Sequence, residues 1–343
     1  MPQSSKFPES RMPSLRARLT NAFLRVTTKR RWRPDMTIET IRAQASRMDA
    51  RVGRRAAPVA VEEAEVAGVR ATWYGEPALA ERGTILYLHG GAWCLHLPHV
   101  YRAHATRLSA LTGMRILLPD YRLAPEHPFP AGVDDCYAVY RWLVEQGYAK
   151  RPFAVAGDSA GGNLTLITIM RARDDGLPLP GCAVTLSPAT DLIPSAPSYT
   201  YNADADPMFS TNTVNLVPTL YCPGVDRTNP LISPLFGDWR GLPPLLFHAG
   251  STEMLLDDSV RAQDRAREAG VDAAIRVWVG LPHVFQVFPW IPEAREAMRE
   301  IAEFITTRAA AAAASAGSPA AVPHLSAAQT SPVAPAQAVG AGP

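Results

Sequence analysis

The sequence predicts an α/β fold, with a mostly parallel eight-stranded sheet covered by helices on both faces. Three observations predict it. From Thr84 onward, short apolar runs alternate with helix-compatible segments, the pattern of βαβ crossovers. In the middle of that alternation lies Gly157-Asp158-Ser159-Ala160-Gly161-Gly162, with a strand-like run before it and a helix-like run after it. The chain of 343 residues is 47% hydrophobic and 19% charged, which suits one large buried core.

The elements follow in order. Leu15, Leu19, Ala22, Phe23 and Val26 recur at helical spacing. Thr37 to Arg51 reads as a second helix, with Thr37 at its N-cap. Val59–Val66 and Val69–Tyr74 read as strands joined by a turn at Ala67-Gly68. The alternation then begins. Strand Thr84–Leu88 precedes a helix near Tyr101–Leu111, and strand Arg115–Pro119 precedes one near Val133–Gln146. Strand Phe153–Ala156 leads into the helix after Ser159. Strand Ala183–Leu186 is followed by an irregular stretch, 190–240, rich in Pro, Asn, Asp and Ser. A stretch of that length inside a compact domain is functional or carries short helices of its own. It reads as an insertion above the C-terminal edge of the sheet, where ligands bind in such folds. Strand Pro244–His248, a helix near Ser259–Glu268, strand Ala274–Val279 and a helix Glu293–Thr307 complete the set. Residues 309–343, almost all Ala, Pro, Ser and Gly, read as a disordered tail. The division expected is thus a helical lid segment over 1–56, a catalytic domain over 57–308 with its lid insertion, and the tail.

Charge excludes some partners. The net charge is only +2, so nothing global points to nucleic acid. Residues 1–35 nevertheless carry nine Lys/Arg against two Asp/Glu. The expectation is a helix that packs its apolar stripe on the body and solvates its charges; the alternative is a basic helix that touches a membrane surface. No apolar run reaches membrane-spanning length, and no signal-peptide pattern opens the chain. Cys94, Cys136, Cys182 and Cys222 are scattered, as expected of buried thiols in a reducing, cytoplasmic compartment.

The chemistry centres on Ser159. A serine on a sharp strand-to-helix turn is forced outward, with a helix N-terminus behind it. It needs a base, and the base needs an orienting acid. His283, just past a strand in Gly280-Leu281-Pro282-His283, is the candidate base; His248, at a strand end, reads as structural. Glu253 is the candidate acid and Asp257 its rival, because Asp257 and Asp258 already have a reason to exist as helix caps. His89-Gly90-Gly91-Ala92-Trp93, directly after a strand, and the N–H of Ala160 are candidates for an oxyanion hole. His89, Cys94, His96, His99 and His104 crowd one stretch, but their spacing matches no common zinc pattern, so neither metal nor cofactor is expected. Trp278, Phe285, Phe288 and Trp290 either line an acyl pocket or pack a core.

Three co-linear motifs carry a resemblance to the bacterial hormone-sensitive-lipase-like esterases of the α/β-hydrolase fold. HGGAW at 89–93 resembles the family's HGGGW, and GDSAGG at 157–162 its nucleophile motif. Between them DYRLAPEHPFPA, 120–131, resembles a very specific family signature. The resemblance spans roughly 57–308. It implies Ser159 as nucleophile, His283 as base, Glu253 at the position of the acid, and an oxyanion hole in which Gly91, Ala92 and Ala160 donate and Gly90 supports the turn. The family's acid is usually Asp followed by Pro-Leu; here it is Glu253 followed by Met254-Leu255. The implied activity is hydrolysis of small or short-acyl esters without a cofactor. A branch that opens monoterpene ε-lactones is similar in layout. A non-catalytic ligand receptor and an amidase remain as other classes on the same fold. The oligomeric state, a homodimer included, stays open.

Overall fold

Eight strands form one sheet in the computed structural model, which describes residues 12–31, 36–52 and 59–317. They are β1 Val61–Val66, β2 Val69–Tyr74, β3 Thr84–Leu88, β4 Arg115–Pro119, β5 Phe153–Asp158, β6 Cys182–Leu186, β7 Leu245–Gly250 and β8 Ala273–Trp278. Their order is β1-β2-β4-β3-β5-β6-β7-β8. The pairs β1–β2 and β2–β4 are antiparallel, and all others are parallel. Every residue of β3, β4, β5 and β6 is buried, which is why these runs are mostly apolar rather than alternating. The first strand, Val-Glu-Glu-Ala-Glu-Val, lies at the edge with its glutamates exposed, and charge there discourages edge-to-edge pairing.

Helices cover both faces. Val139 and Leu143 of α4 (Ala131–Glu145), Leu164 and Ile167 of α5 (Ala160–Asp174) and Ala262 of α8 (Leu256–Glu268) pack one face. Leu108 of α3 (Pro98–Thr112) and Ile301 of α9 (Pro292–Gly317) pack the other. The last helix runs on to Gly317 instead of ending near Thr307, so the alanine-rich segment starts as helix. Alanine has the highest helix propensity, and Ala309 is buried where its backbone meets Gly181. The remainder of the expected tail, 318–343, lies outside the described residues. All four cysteines are buried free thiols. Among the described residues, no helix is long and apolar enough to cross a membrane.

The first two helices are α1 (Leu15–Thr27) and α2 (Ile38–Val52). One expectation fails here. The stripe of Leu15, Leu19, Ala22, Phe23 and Val26 faces away from the body, and α1 instead buries Ala17, Thr20 and Leu24. Polar anchors set that rotation. The Ser14 N–H and Oγ–H donate to Glu293, Asn21 donates to the Gly280 carbonyl, and Arg25 donates to the carbonyls of Asp204 and Ala205. The charges are therefore partly spent on carbonyls rather than wholly solvated. Helix α2 is clamped by Arg42, which donates to the carbonyls of Cys94 and Ala124 and pairs with Glu126. Asp49, farther along α2, accepts from the N–H groups of His99 and Val100 and so serves the N-terminus of α3.

The 190–240 stretch does carry short helices, α6 (Ser198–Tyr201) and α7 (Thr211–Tyr221).

Candidate active site

Ser159 sits between the end of β5 and the first turn of α5 with φ +54° and ψ −119°. That positive φ is rare for a residue with a side chain and marks a sharp, strained turn. The turn survives because its neighbours are small. A Cβ on Gly161 would lie 1.9 Å from the Leu88 carbonyl oxygen, so only glycine lets α5 come this close to the end of β3. The first intrahelical bond is Asn163 N–H to Ser159 O, leaving the N–H groups of residues 160–162 without partners in the helix ladder.

His283 lies in the loop after β8, and Glu253 in the loop after β7. Both are buried. The Nδ1 of His283 is 2.6 Å from Oε2 of Glu253. The other carboxylate oxygen, Oε1, accepts from the Gly250 N–H at 2.7 Å and the Ser187 hydroxyl at 3.0 Å. Ser187 in turn accepts from the Val284 N–H at 3.2 Å, which ties the acid loop to the base loop. Ring contact with Phe209 (centroids 4.7 Å apart) covers the imidazole.

The rival acid is elsewhere. Asp257 accepts from the Ser198 N–H and the Tyr201 hydroxyl, and so holds α6. Neither Asp257 nor Asp258 is the N-cap of α8, as expected from sequence; that position is Leu255, and the two aspartates lie in the first turn. His248 is fully buried in β7, where it accepts from the Trp278 indole N–H; burial lowers its pKa to about 3.

The loop after β3 lies beside Ser159. Gly91 has φ +118°, a conformation that favours glycine, and Ala92 has φ +54°. The N–H of Gly90 is already committed to Asp158 Oδ1 at 3.1 Å, so Gly90 shapes the turn and does not supply a donor to an oxyanion. The Asp158 carboxylate also accepts from the hydroxyls of Tyr87 and Tyr101 (2.9 and 2.8 Å). Burial raises its pKa to about 6, against the lowering effect of those two hydroxyls. The 120–131 segment braces the loop from below. Tyr121 stacks on the His89 ring and donates to the His89 carbonyl, and the Ala124 N–H donates to the Trp93 carbonyl. Trp93 itself stacks on Tyr221 of the 190–240 stretch.

A cavity of about 440 Å³ opens at this point. Ser159, His283, Gly91 and Ala92 line it. Ile38, Ile41 and Met48 of α2 and Val214 and Val217 of α7 supply apolar wall. Of the aromatics near the base, Phe288 lines the cavity, Trp278 and Phe285 pack into a core cluster, and Trp290 is partly exposed. Of the crowded histidines, His104 packs by Tyr87, His99 lies near Asp49, and His96 lies near Asp120 with its ring 5.9 Å from that of His89.

Sequence reasoning missed Ser187, Asn202, Asp206 and Phe209. Asn202 donates to the carbonyls of Ser251 and Glu253, and Asp206 accepts from the N–H groups of Met254, Met208 and Phe209. The 190–240 stretch therefore braces the acid loop as well as walling the cavity. The only signal in the sequence was its density of Asn, Asp and Ser, residues that bond backbone locally.

Asp258 makes a testable case. It is fully buried, accepts from the N–H groups of Thr190 and Asp191, and lies near the Asp191 carboxylate. Burial, first of all, raises its pKa from 3.8 to about 8. The native state therefore holds a proton that the unfolded chain has already released across that window. The stabilising contribution is complete below the unfolded value and is lost as the pH rises through about 8. Asp258→Asn should flatten the fall of Tm between mildly acidic and mildly alkaline pH. Parallel Tm profiles for the two proteins would contradict this.

Residues 85–287 match the model of a family of the alpha/beta hydrolase fold. An acetyl-hydrolase of Streptomyces hygroscopicus is 38% identical over 235 residues, covering 67% of this chain and 78% of its own. An esterase of Acinetobacter venetianus is 35% identical over 254 residues, 73% of this chain and 82% of its own. A crystal structure of an esterase from the bacterial hormone-sensitive lipase family superposes with a TM-score of 0.81 at 37% identity, covering 87% of this chain and 100% of that one. The class defined by fold and elbow is thus the α/β hydrolases. Within it, the chain belongs to the hormone-sensitive-lipase-like esterase family and is a carboxylic ester hydrolase.

Proposed function

We propose that the chain hydrolyses small, short-acyl carboxylic esters through an acyl-enzyme on Ser159. One observation carries the reading: the 2.6 Å contact between His283 Nδ1 and Glu253 Oε2, in loops that meet the Ser159 elbow at one cavity. Glu253 holds the Nδ1–H tautomer and so leaves Nε2 free to act as base. Ser159 Oγ attacks the ester carbonyl carbon as Nε2 takes the hydroxyl proton. The N–H groups of Gly91, Ala92 and Ala160 receive the negative charge that develops on the carbonyl oxygen. The C–O bond to the alcohol breaks as Nε2 returns the proton to the leaving oxygen. Water, activated by the same imidazole, then attacks the acyl-enzyme, and the acid departs as Ser159 regains its proton. Side chains, backbone N–H groups and water serve every step.

Two features support short acyl groups. The cavity, about 440 Å³, lies in the lower half of the range of about 300–1,000 Å³ usual for ligand sites, and its wall is largely apolar. A similar protein is named an acetyl-hydrolase, and a structural neighbour with a TM-score of 0.81 was soaked with p-nitrophenyl butyrate. A panel of p-nitrophenyl esters from acetyl to lauroyl, with lactones alongside, tests the reading. The highest kcat/KM should fall among the shortest chains; a maximum at lauroyl, or turnover confined to lactones, contradicts it.

A further inference from the structure

Helix α1 carries two unlike faces back to back. Ala17, Thr20 and Leu24 face the body. Leu15, Leu19, Phe23 and Val26 are 67%, 61%, 53% and 54% exposed, and Met12, just before the helix, is 75% exposed. At about 100° per residue Leu15, Leu19, Phe23 and Val26 fall in one arc on the side away from the buried residues. A helix on an aqueous surface normally turns such an arc inward, and here the anchors to Glu293, Gly280 and Asp204 hold it outward. The rim is basic. Arg16 and Arg18 are exposed on the two sides of the arc, and Arg30 is exposed beyond its C-terminal end. Trp290 lies beside the helix, half exposed, with its indole N–H on Thr20 Oγ1. Phe23 belongs both to the arc and to the cavity wall.

We propose that this face docks on a lipid surface bearing anionic headgroups, with α1 lying in the plane of the interface and the cavity wall at Phe23 beside it. Charge selects the occupant. A second copy, seated arc to arc, would set arginines against arginines, whereas lipid phosphates would meet them. Apolar side chains on one arc, cations at its edges and a tryptophan at headgroup level are what an interfacial helix requires. An ester dissolved in the lipid would then reach the cavity without crossing water.

The test uses the full chain and sedimentation with vesicles of pure phosphatidylcholine, or of phosphatidylcholine with about one third phosphatidylglycerol. The protein should bind the anionic vesicles and be released at about 1 M salt. The double variant Leu15→Ser/Leu19→Ser should bind them about tenfold more weakly or worse. Arg16→Ala/Arg18→Ala should lose the preference for anionic over neutral vesicles. Neither pair lines the cavity, so both variants should hydrolyse p-nitrophenyl acetate in solution within about twofold of the parent, which also shows that they fold. Three results would overturn the proposal: no binding by the parent protein, equal binding by the serine variant, or a parent dimer that the serine substitutions convert to monomer.

Discussion

Ser159→Ala should lower kcat by on the order of 10⁴-fold or more, with the fold intact. The side chain projects from a turn whose geometry depends on Gly161 rather than on the hydroxyl. Its Ser159 N–H is held by the Leu186 carbonyl, a bond that alanine keeps. Deletion of Oγ therefore removes the nucleophile and little packing. Residual turnover should be that of a preformed cavity with backbone donors and no covalent route. Stopped-flow traces should lose any burst, and Tm should stay within a few degrees of the parent. An alanine variant with near-parental kcat on p-nitrophenyl acetate sinks the acyl-enzyme reading outright.

Glu253→Gln is the second large effect, with a loss in kcat on the order of 10²–10⁴-fold. Glutamine keeps the shape and can still receive the Gly250 N–H and the Ser187 hydroxyl through its oxygen. Its amide would then face His283 Nδ1 where a carboxylate oxygen stood. An N–H there favours the tautomer with an unprotonated Nδ1, which takes the base away from Nε2. The imidazolium that forms during attack also loses its counter-charge. The control is Asp257→Asn. Asp257 holds the Ser198 N–H and the Tyr201 hydroxyl, so its loss loosens α6 by about 1 kcal/mol and leaves kcat within a few-fold. If the two variants show the reverse pattern, the orienting acid is Asp257.

Together these two tests separate chemistry from support. Ser187, Asn202 and Asp206 reach the acid loop from two other segments, so substitutions there should show mixed changes in stability and kcat.

The sequence by itself determined the sheet and the small-residue turn at Ser159. Periodicity reports burial on both faces, and the central strands are buried at every position. Small residues around Ser159 report a turn that no larger side chain permits. Both signals are local, and a single chain carries them. What only the tertiary structure decided lies between segments distant in the chain. Glu253 rather than Asp257 meets His283 because the Gly250 N–H and Ser187, the latter 66 residues away, aim the carboxylate. Gly90 gives its N–H to Asp158, 68 residues on, a partner that no local motif names. The α1 stripe shows the same limit from the other side. Its spacing was legible, but the direction it faces depends on Glu293, Gly280 and Asp204, remote partners that no periodicity encodes. Helical spacing states that an apolar face exists; which neighbour covers it is a property of the packed molecule.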